Sequence, residues 1–517
     1  MSFLNKPITK IIILNLIINS LMLLHNGPFI DDWKLYNQTN DHIIANFYSE
    51  GWYYTGIWLI HQFQFSFGNP LLISHILTMV LQSFTFYFFY KILKFTTLPH
   101  NLILWMVVLS AISPFYIVRF LPINLPYTFC LFLFLLAYWI ILNNYKQSKI
   151  YFSLLAGILI LYSLVTNSIL FFYPVLMVHL WLMMNKNTWL FIKKYFWLIL
   201  PPIVFVILRL TVFVPMAGGP DADYNSIDMA NMKLIPINIL NLNIGFLKFI
   251  LFQVKSYWIL FGLIFIISSI VIFIKKNWLE INLNLTKNLQ LILIGLTLFI
   301  LAILPYLMVG KIPMFLYWRE RHQLLIPFGY SILVVSIIFL LKNNLLKTFA
   351  LGLVIAAFIT CTFGQIINKY NVWFKNESVY NYFKNTPLNS NINTYKVIDE
   401  DKCTNATDRG LNWFVLSGLY KKATQKEDKF FVSINLLKLD SAGLEEHIRL
   451  RKKVNLMGPY NMTEFGHIKG IGTITVTCRK ALSIADILKF MSLYYTRDKK
   501  ALTSMYASRF SINAGEK

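Results

Sequence analysis

Acidic residues are scarce in this 517-residue chain: 23 Asp and Glu stand against 47 Lys and Arg, and charged residues of both signs make up only 14% of it. A soluble chain carries roughly a quarter charged residues. With 57% hydrophobic residues instead, an ordinary water-soluble enzyme is excluded and the bilayer becomes the solvent for most of the chain. Cysteine is nearly missing too. Four are present, without CxxC spacing, which argues against zinc. Cys130 and Cys361 fall in apolar runs as small packing residues, whereas Cys403 and Cys478 lie in the C-terminal region and are able to form a disulfide if it faces an oxidising compartment. There is no HExxH zinc motif, no GxxxxGK[ST] phosphate loop and no GxSxG nucleophile elbow, so those chemistries drop out. The net charge of +24 would suggest nucleic acid in a soluble protein, yet the basic residues punctuate gaps between apolar runs and form no stripe, so no nucleic-acid partner is expected.

What the chain has is long apolar runs. Ile8 to Leu24, Leu71 to Phe89 and Leu324 to Leu341 are each about as long as a helix needs to cross roughly 30 Å of hydrocarbon. The first has a basic start at Lys6 and Lys10 but no small-x-small cleavage site before Asp31, so it reads as a retained span rather than a signal peptide. Hydropathy predicts about eleven spans, at 8–26, 70–90, 98–118, 123–143, 150–165, 168–184, 190–213, 248–274, 289–309, 323–341 and 345–367. Only Thr166 and Asn167 separate the pair between 150 and 184, and one long kinked element there would reverse everything downstream.

Charge supplies a direction. One set of connections carries Lys6 and Lys10, Lys91 and Lys94, Lys146 and Lys149, Lys186 with Lys193 and Lys194, Lys275 with Lys276, then Lys342 and Lys347. By the positive-inside rule these are cytoplasmic. The alternate set is led by two acid-leaning loops, one with Asp31, Asp32, Asp41 and Glu50, the other with Asp221, Asp223 and Asp228. These face outward. An odd number of spans puts the C-terminal region outside as well, giving a multi-pass plasma-membrane protein with a cytoplasmic N-terminus and an extracytoplasmic (periplasmic, if Gram-negative) tail. Two domains follow: residues 1–367 in the membrane and 368–517 in water. In the tail, Lys429 to Leu437 and Gly472 to Cys478 read as strands, and Asp486 to Tyr495 has helical apolar spacing. This describes a small α+β domain.

Candidate chemistry sits on the outward side. Asp31 and Asp32, in Phe29-Ile30-Asp31-Asp32-Trp33, stand where the first span leaves the membrane, and adjacent carboxylates are costly to desolvate there. One is suited to accept the proton of an incoming hydroxyl while its neighbour orients it or holds a cation; the plainer alternative is a solvated span end with an Asp helix cap. A segment dense in aromatic and hydrogen-bonding residues follows, with Trp33, Tyr36, His42, Tyr48, Glu50, Trp52, Tyr53, Tyr54, Trp58 and His61. Singly these are interfacial-belt residues, but together they offer stacking faces and polar groups suited to sugars. Lys311 with Tyr317-Trp318-Arg319-Glu320-Arg321-His322 breaks the charge rule by placing cations outside. Arginine forks at a membrane boundary pair well with phosphate; the alternative is a cluster snorkelling to headgroups. If helical, Arg319 and His322 share a face; if extended, Arg319 and Arg321 do. Arg119, in the turn Arg119 to Tyr127, is a further phosphate candidate, and Arg209 in an apolar run needs an acidic, backbone or phosphate partner. The glycine- and aspartate-containing loop from Pro215 to Pro236 suits a lid or a plain connection.

An acidic pair after the first span, a long aromatic outer loop, many spans and an outward C-terminal domain resemble the GT-C membrane glycosyltransferases. Asp31-Asp32-Trp33, then Gly51-Trp52 with an apolar helix after it, is most similar to the GtrII-like O-antigen glucosyltransferases. The resemblance implies inverting sugar transfer from a polyprenyl-phosphate donor, such as undecaprenyl phosphate, to an acceptor hydroxyl of a surface glycan such as the O-antigen of lipopolysaccharide. Asp31 would be the general base and Asp32 its partner. Arg319, Arg321, His322, Lys311 and Arg119 would hold the donor phosphate, and Trp33, Glu50, Trp52, Tyr53, Tyr54 and His61 the sugar or acceptor. Some members carry another acidic residue in the second outer loop, often associated with a metal, and Arg119 to Tyr127 has none, so no metal ligands and no cofactor are expected. Two rivals remain: a lipid-linked glycan transporter or flippase, which should bury charges within several spans, and an O-antigen polymerase, which needs no acidic pair.

Overall fold

The computed structural model describes residues 7–29, 32–33, 35, 40–146, 149–215, 229–281, 283–316, 318–400, 411, 413–432, 443, 445, 468–480 and 482–516. Asp31 and Tyr36, the loop acids Asp221, Asp223 and Asp228, Tyr317 and Cys403 lie outside the described residues. The helices are α1 (Pro7–Asn19), α2 (Asn40–Ser49), α3 (Ile57–Phe65), α4 (Pro70–Leu93), α5 (His100–Ile112), α6 (Leu125–Asn143), α7 (Ile150–Ser163), α8 (Ile169–Met183), α9 (Thr188–Tyr195) and α10 (Leu200–Thr211). Then come α11 (Met229–Lys233), α12 (Ile235–Ser256), α13 (Trp258–Ile274), α14 (Leu285–Met308), α15 (Ile326–Ile338), α16 (Asn344–Asn385), α17 (Trp413–Thr424), α18 (Ile484–Thr496) and α19 (Lys499–Arg509).

Among the described residues, six helical stretches are long and apolar enough to cross a membrane: Pro70–Leu93, Pro122–Asn143, Thr188–Thr211, Ile235–Ser256, Leu285–Met308 and Asn344–Asn385. Six shorter apolar helices accompany them. The outer surface of α13 exposes Ile259, Leu263, Ile266, Ile267, Ile270 and Phe273, a face that lipid chains can cover and water cannot solvate. The chain is therefore a helical, membrane-associated protein.

Proline sets several boundaries that hydropathy placed elsewhere. The run at 98–118 stops being α-helical at Ile112, because Pro114 holds Ser113 extended at φ −58° and ψ 136°. Within 190–213, Pro201 and Pro202 cannot donate to the preceding turn, and a 3-10 turn (Phe196–Ile199) splits α9 from α10. The stretch 150–184 holds two helices, α7 and α8, joined at 164–168. The expected span 248–274 is corrected: the chain builds α12 from Ile235 and breaks at Tyr257 before α13. Asn238, Asn241 and Asn243 depress the hydropathy of its first half, but Asn238, Leu242, Phe246, Phe249 and Gln253 recur at helical spacing and face inward.

Contacts sort the connections into two ends. In α14 and α15, Gly295 abuts Leu333 and Gly329 abuts Phe299, so the pair is antiparallel and the 3-10 turn between them (Trp318–Gln323) marks one end. Lys369 of α16 meets Glu320 there. The 3-10 turns Ile117–Phe120 and Pro122–Asn124 lie at the same end. Helix α12 keeps to that end: Asn231 just before it lies against Gly310, Phe246 stacks on Phe315, and Gln253 abuts Gly364. Gly51, at φ 77°, sits against Val214 and Pro215, where a Cβ would lie 2.6 Å from the Val214 carbonyl carbon. At the opposite end are the lysine-rich connections. Lys347 Nζ donates to Leu279 O at 3.5 Å, Asn101 Nδ2 to Asn277 O at 3.2 Å, and Lys194 Nζ to Tyr145 O.

The C-terminal domain is built on a helix it shares with the bundle. Helix α16 runs 42 residues without interruption, so the boundary expected at 367/368 falls inside a continuous hydrogen-bonded ladder. The sheet has strand order β2-β1-β3-β4, from β1 (Thr394–Asp399), β2 (Phe430–Val432), β3 (Ile471–Cys478) and β4 (Phe510–Glu516). Strands β2 and β3 flank β1 in parallel and β4 pairs antiparallel with β3. Phe374 of α16 packs edge-on to Phe490 of α18 at 5.0 Å, and Phe383 lies 5.5 Å from Phe431 of β2. Lys375 Nζ bonds both oxygens of Asp399 at 2.8 and 2.7 Å, tying α16 to β1. Cys478 is disulfide-bonded, whereas Cys130 and Cys361 are free and buried.

Candidate functional site

After α1 the chain narrows into a 3-10 turn (Ser20–Leu24), becomes extended at His25, and turns back at Phe29. Asp32 closes this turn. Its backbone N–H donates to Phe29 O at 2.9 Å, and its Oδ2 accepts from Phe29 N at 2.9 Å. Oδ1 accepts from Ile123 N at 3.1 Å, bridging to the turn Pro122–Asn124. The residue is wholly buried. A carboxylate receiving backbone N–H groups on both oxygens is fixed in position.

Arg119 lies beside this bridge, buried in the turn Ile117–Phe120, which follows Tyr116 at φ 62°. Its guanidinium donates to Phe115 O at 3.0 Å, Tyr116 O at 3.2 Å and Asn19 Oδ1 at 3.3 Å. Burial lowers its pKa from the usual value to about 10, with the Tyr116 and Glu320 groups acting in the opposite sense. It stays protonated at neutral pH. Its Nε is buried without a hydrogen-bond partner among the described residues, an orphan donor that water or a polar ligand would satisfy.

Glu320 is the hub of its turn. It is fully buried, its Oε1 accepts from Leu316 N at 2.7 Å, and its Oε2 lies 3.6 Å from Lys369 Nζ, an ion pair longer than a hydrogen bond. Burial raises the Glu320 pKa, and the Lys369 and Arg119 charges only partly offset it. Lys369 is itself buried and lies 4.3 Å over the Phe29 ring. Buried ion pairs are poor stabilising devices, so a two-cation, two-carboxylate cluster at one end of a membrane bundle is a functional-site candidate.

The turn Trp318–Gln323 is 3-10 helical, so Arg319 and His322 are one turn apart, yet their surroundings differ. Arg319 is exposed, with its guanidinium 4.0 Å from Met314 Sδ. His322 is buried, stacked on Tyr306 at 4.6 Å, and its Nε2 accepts from Arg321 Nε at 3.2 Å. Lys311 is half-buried where the chain leaves α14, its N–H on Tyr306 O at 2.9 Å. Gln323 ties the group together, accepting from Tyr116 N at 3.0 Å and donating to Met314 O at 2.9 Å.

The aromatic residues do not form one surface. Trp33 is buried beside Asp32, Glu50 and Trp52 are half-buried, and Tyr54 is exposed. Tyr53 stacks on Trp58 at 5.8 Å. Trp52 lies 4.6 Å under the Arg209 guanidinium, which also donates to Phe213 O; backbone and an aromatic face are the partners Arg209 needed. His61 is buried, its Nδ1 2.8 Å from Gln64 Oε1, and Gln64 Nε2 donates to Ser74 Oγ at 3.0 Å and Pro122 O at 3.4 Å. It supports the Pro122–Asn124 turn from behind.

Sequence reasoning missed His25 and Lys369. The signal for Lys369 was a lysine closing an apolar run on the same side as Glu320. His25 is buried, with Nε2 3.1 Å from Lys369 O.

Among the described residues, no three His, Cys, Asp or Glu side chains gather as a metal site would require. The chain matches no model of a known protein family and no curated protein sequence.

Proposed function

We propose that the chain is a membrane glycosyltransferase of the GT-C kind, moving a sugar with inversion from a polyprenyl-phosphate carrier to an acceptor hydroxyl of a surface glycan, on the extracytoplasmic side. One observation carries the reading: the loop bearing the acidic pair is bonded through Asp32 to the turn beside buried Arg119, and the charges of Arg119 and Lys369 both act on buried Glu320. Asp31 takes the acceptor proton as the hydroxyl attacks the anomeric carbon. Asp32, held by two backbone N–H groups, orients its neighbour. The cations of Arg119, Lys369, Arg321 and Arg319 stabilise the negative charge that grows on the departing phosphate. Trp52, Tyr53, Tyr54 and Glu50 offer the sugars accessible faces, whereas Trp33 and His61 are buried.

The distribution of buried charge favours this over a transporter. Among the described residues, buried Asp, Glu, Lys and Arg side chains in the bundle are Asp32, Arg119, Glu320, Lys347 and Lys369, all at its two ends. A mid-membrane translocation path would want them between.

The test is transfer by purified protein in detergent, from a synthetic polyprenyl-phosphate sugar to a glycan acceptor. Product of inverted configuration is expected; folded protein that moves the lipid-linked glycan across vesicles without transferring sugar would overturn the enzyme reading. Arg321→Ala and Arg319→Ala should each raise the donor KM roughly ten-fold, the scale of one charge-assisted hydrogen bond. Unchanged donor affinity would return that turn to contact with lipid headgroups.

A further inference from the structure

The segment that delivers the acidic pair is gripped from the C-terminal side of the chain. The 3-10 turn Ser20–Leu24 ends with carbonyls that lack helical partners, and the tail supplies them. Tyr495 of α18 donates its hydroxyl to Leu24 O at 2.6 Å, and Tyr370 of α16 donates to Leu21 O at 2.6 Å. Asn376 Nδ2 donates to Pro28 O at 3.3 Å, and Asn26 Nδ2 to Tyr494 Oη at 3.4 Å. Gly27 passes so near Trp373 that a Cβ would come within 2.4 Å of the indole. The indole cannot yield, because Phe490 and Tyr494 of α18 hold it edge-on at 4.9 and 4.7 Å.

These contacts fix the main-chain path of residues 21–28 immediately before Phe29, whose turn Asp32 closes. We propose that the C-terminal domain is a positioning element: by holding residues 21–28 through α16 and α18 it sets where the Asp31–Asp32 turn stands relative to Arg119 and the Glu320–Lys369 pair, with Tyr495 and Trp373 as positioning residues. Helix α16 is suited to the task because one stretch of it meets both sides, Lys369 reaching Glu320 and Trp373 lying one turn later against Gly27. Displacing a reacting group by an ångström costs about a hundred-fold in rate, so main-chain control at this point has large leverage. Only the catalytic half of the proposal rests on the sugar-transfer reading; the grip stands on the contacts alone.

Tyr495→Phe removes a single oxygen from a half-exposed side chain and should leave the fold intact. In the full-length protein, hydrogen exchange of the peptide covering residues 24–29 should rise about ten-fold, the scale of one lost hydrogen bond, with the thermal midpoint near wild type. The kcat for transfer should fall roughly five-fold while donor KM stays put. Gly27→Ala should act in the same sense and more strongly, with kcat lower by about a hundred-fold. Wild-type exchange together with wild-type kcat in Tyr495→Phe overturns the proposal, as does a loss of kcat matched by an equal loss of folded protein. If wild-type protein transfers no sugar, the enzyme reading fails while the exchange measurement still decides the grip: faster exchange at 24–29 keeps it and unchanged exchange removes it.

Discussion

Asp31→Asn should reduce sugar transfer by a factor of roughly 10³ and leave thermal unfolding near wild type, whereas Asp32→Asn should depress both. The two residues are adjacent and chemically identical, so the contrast separates proton transfer from positioning. A general base typically contributes a factor of about 10² to 10⁴, and its amide cannot take a proton. At position 32 the carboxylate accepts from Phe29 N and Ile123 N on opposite oxygens. An amide can accept on its oxygen only, so one of those two backbone donors would face an NH2 group instead. A buried unsatisfied donor costs about 1–3 kcal/mol, and the strut between the two loops loosens with it. Transfer should fall about a hundred-fold as the neighbouring carboxylate drifts. Steady-state transfer and a detergent melting curve on each variant are sufficient. Equal activity in Asp31→Asn and wild type would sink the base assignment, and an unshifted midpoint in Asp32→Asn would sink the strut.

The second large effect concerns the Glu320–Lys369 pair. Removing one member strands the other, and breaking a buried pair costs about 3–5 kcal/mol. Lys369→Met should therefore lower the unfolding midpoint steeply. Burial already raises the Glu320 pKa, and loss of the ammonium that opposes this should raise it further. The sign follows: proton uptake rescues the folded state, so Lys369→Met should be least stable at high pH and regain stability as pH falls. The double variant Lys369→Met with Glu320→Leu should recover most of the midpoint, because two apolar side chains replace a desolvated pair at little cost. Transfer should not recover with it. Restored activity in the double variant would show that the charges serve only each other, and a midpoint that stays low would show that the site needs the pair for folding.

How much of this was legible depended on whether a residue's partner was close in sequence. Apolar runs announce helices because burial against lipid is a local property, and α4, α6 and α14 lie near where hydropathy put them. The strand at Ile471–Cys478 and the helix at Ile484–Thr496 were visible by their periods of two and 3.6. Strands β1 and β4 were not: Thr394–Asp399 sets Val397 beside Ile398 and breaks the alternation, and in Phe510–Glu516 Phe510, Ile512 and Ala514 alternate with Ser511 and Asn513 over only five residues before Gly515. Helix α12 was cut short because its asparagines depress a window average although its inward face is regular. Glu320 looked incidental within six polar and aromatic residues, and Lys369 looked like the first charged residue of a soluble tail beginning at 368. Their pairing spans 49 positions, and the bond from Asp32 to Ile123 spans 91; neither distance is written in local pattern.

The bond from Tyr495 to Leu24 joins residues 471 positions apart, nearly the whole chain. Synthesis therefore imposes an order of events. The acidic pair is made long before its brace, because α2 to α17 lie between them in the chain. Until α18 docks on Trp373, the main chain before Phe29 lacks the carbonyl partners that Tyr495 supplies. A nascent chain thus carries its acidic pair unbraced until α18 has been made and has docked.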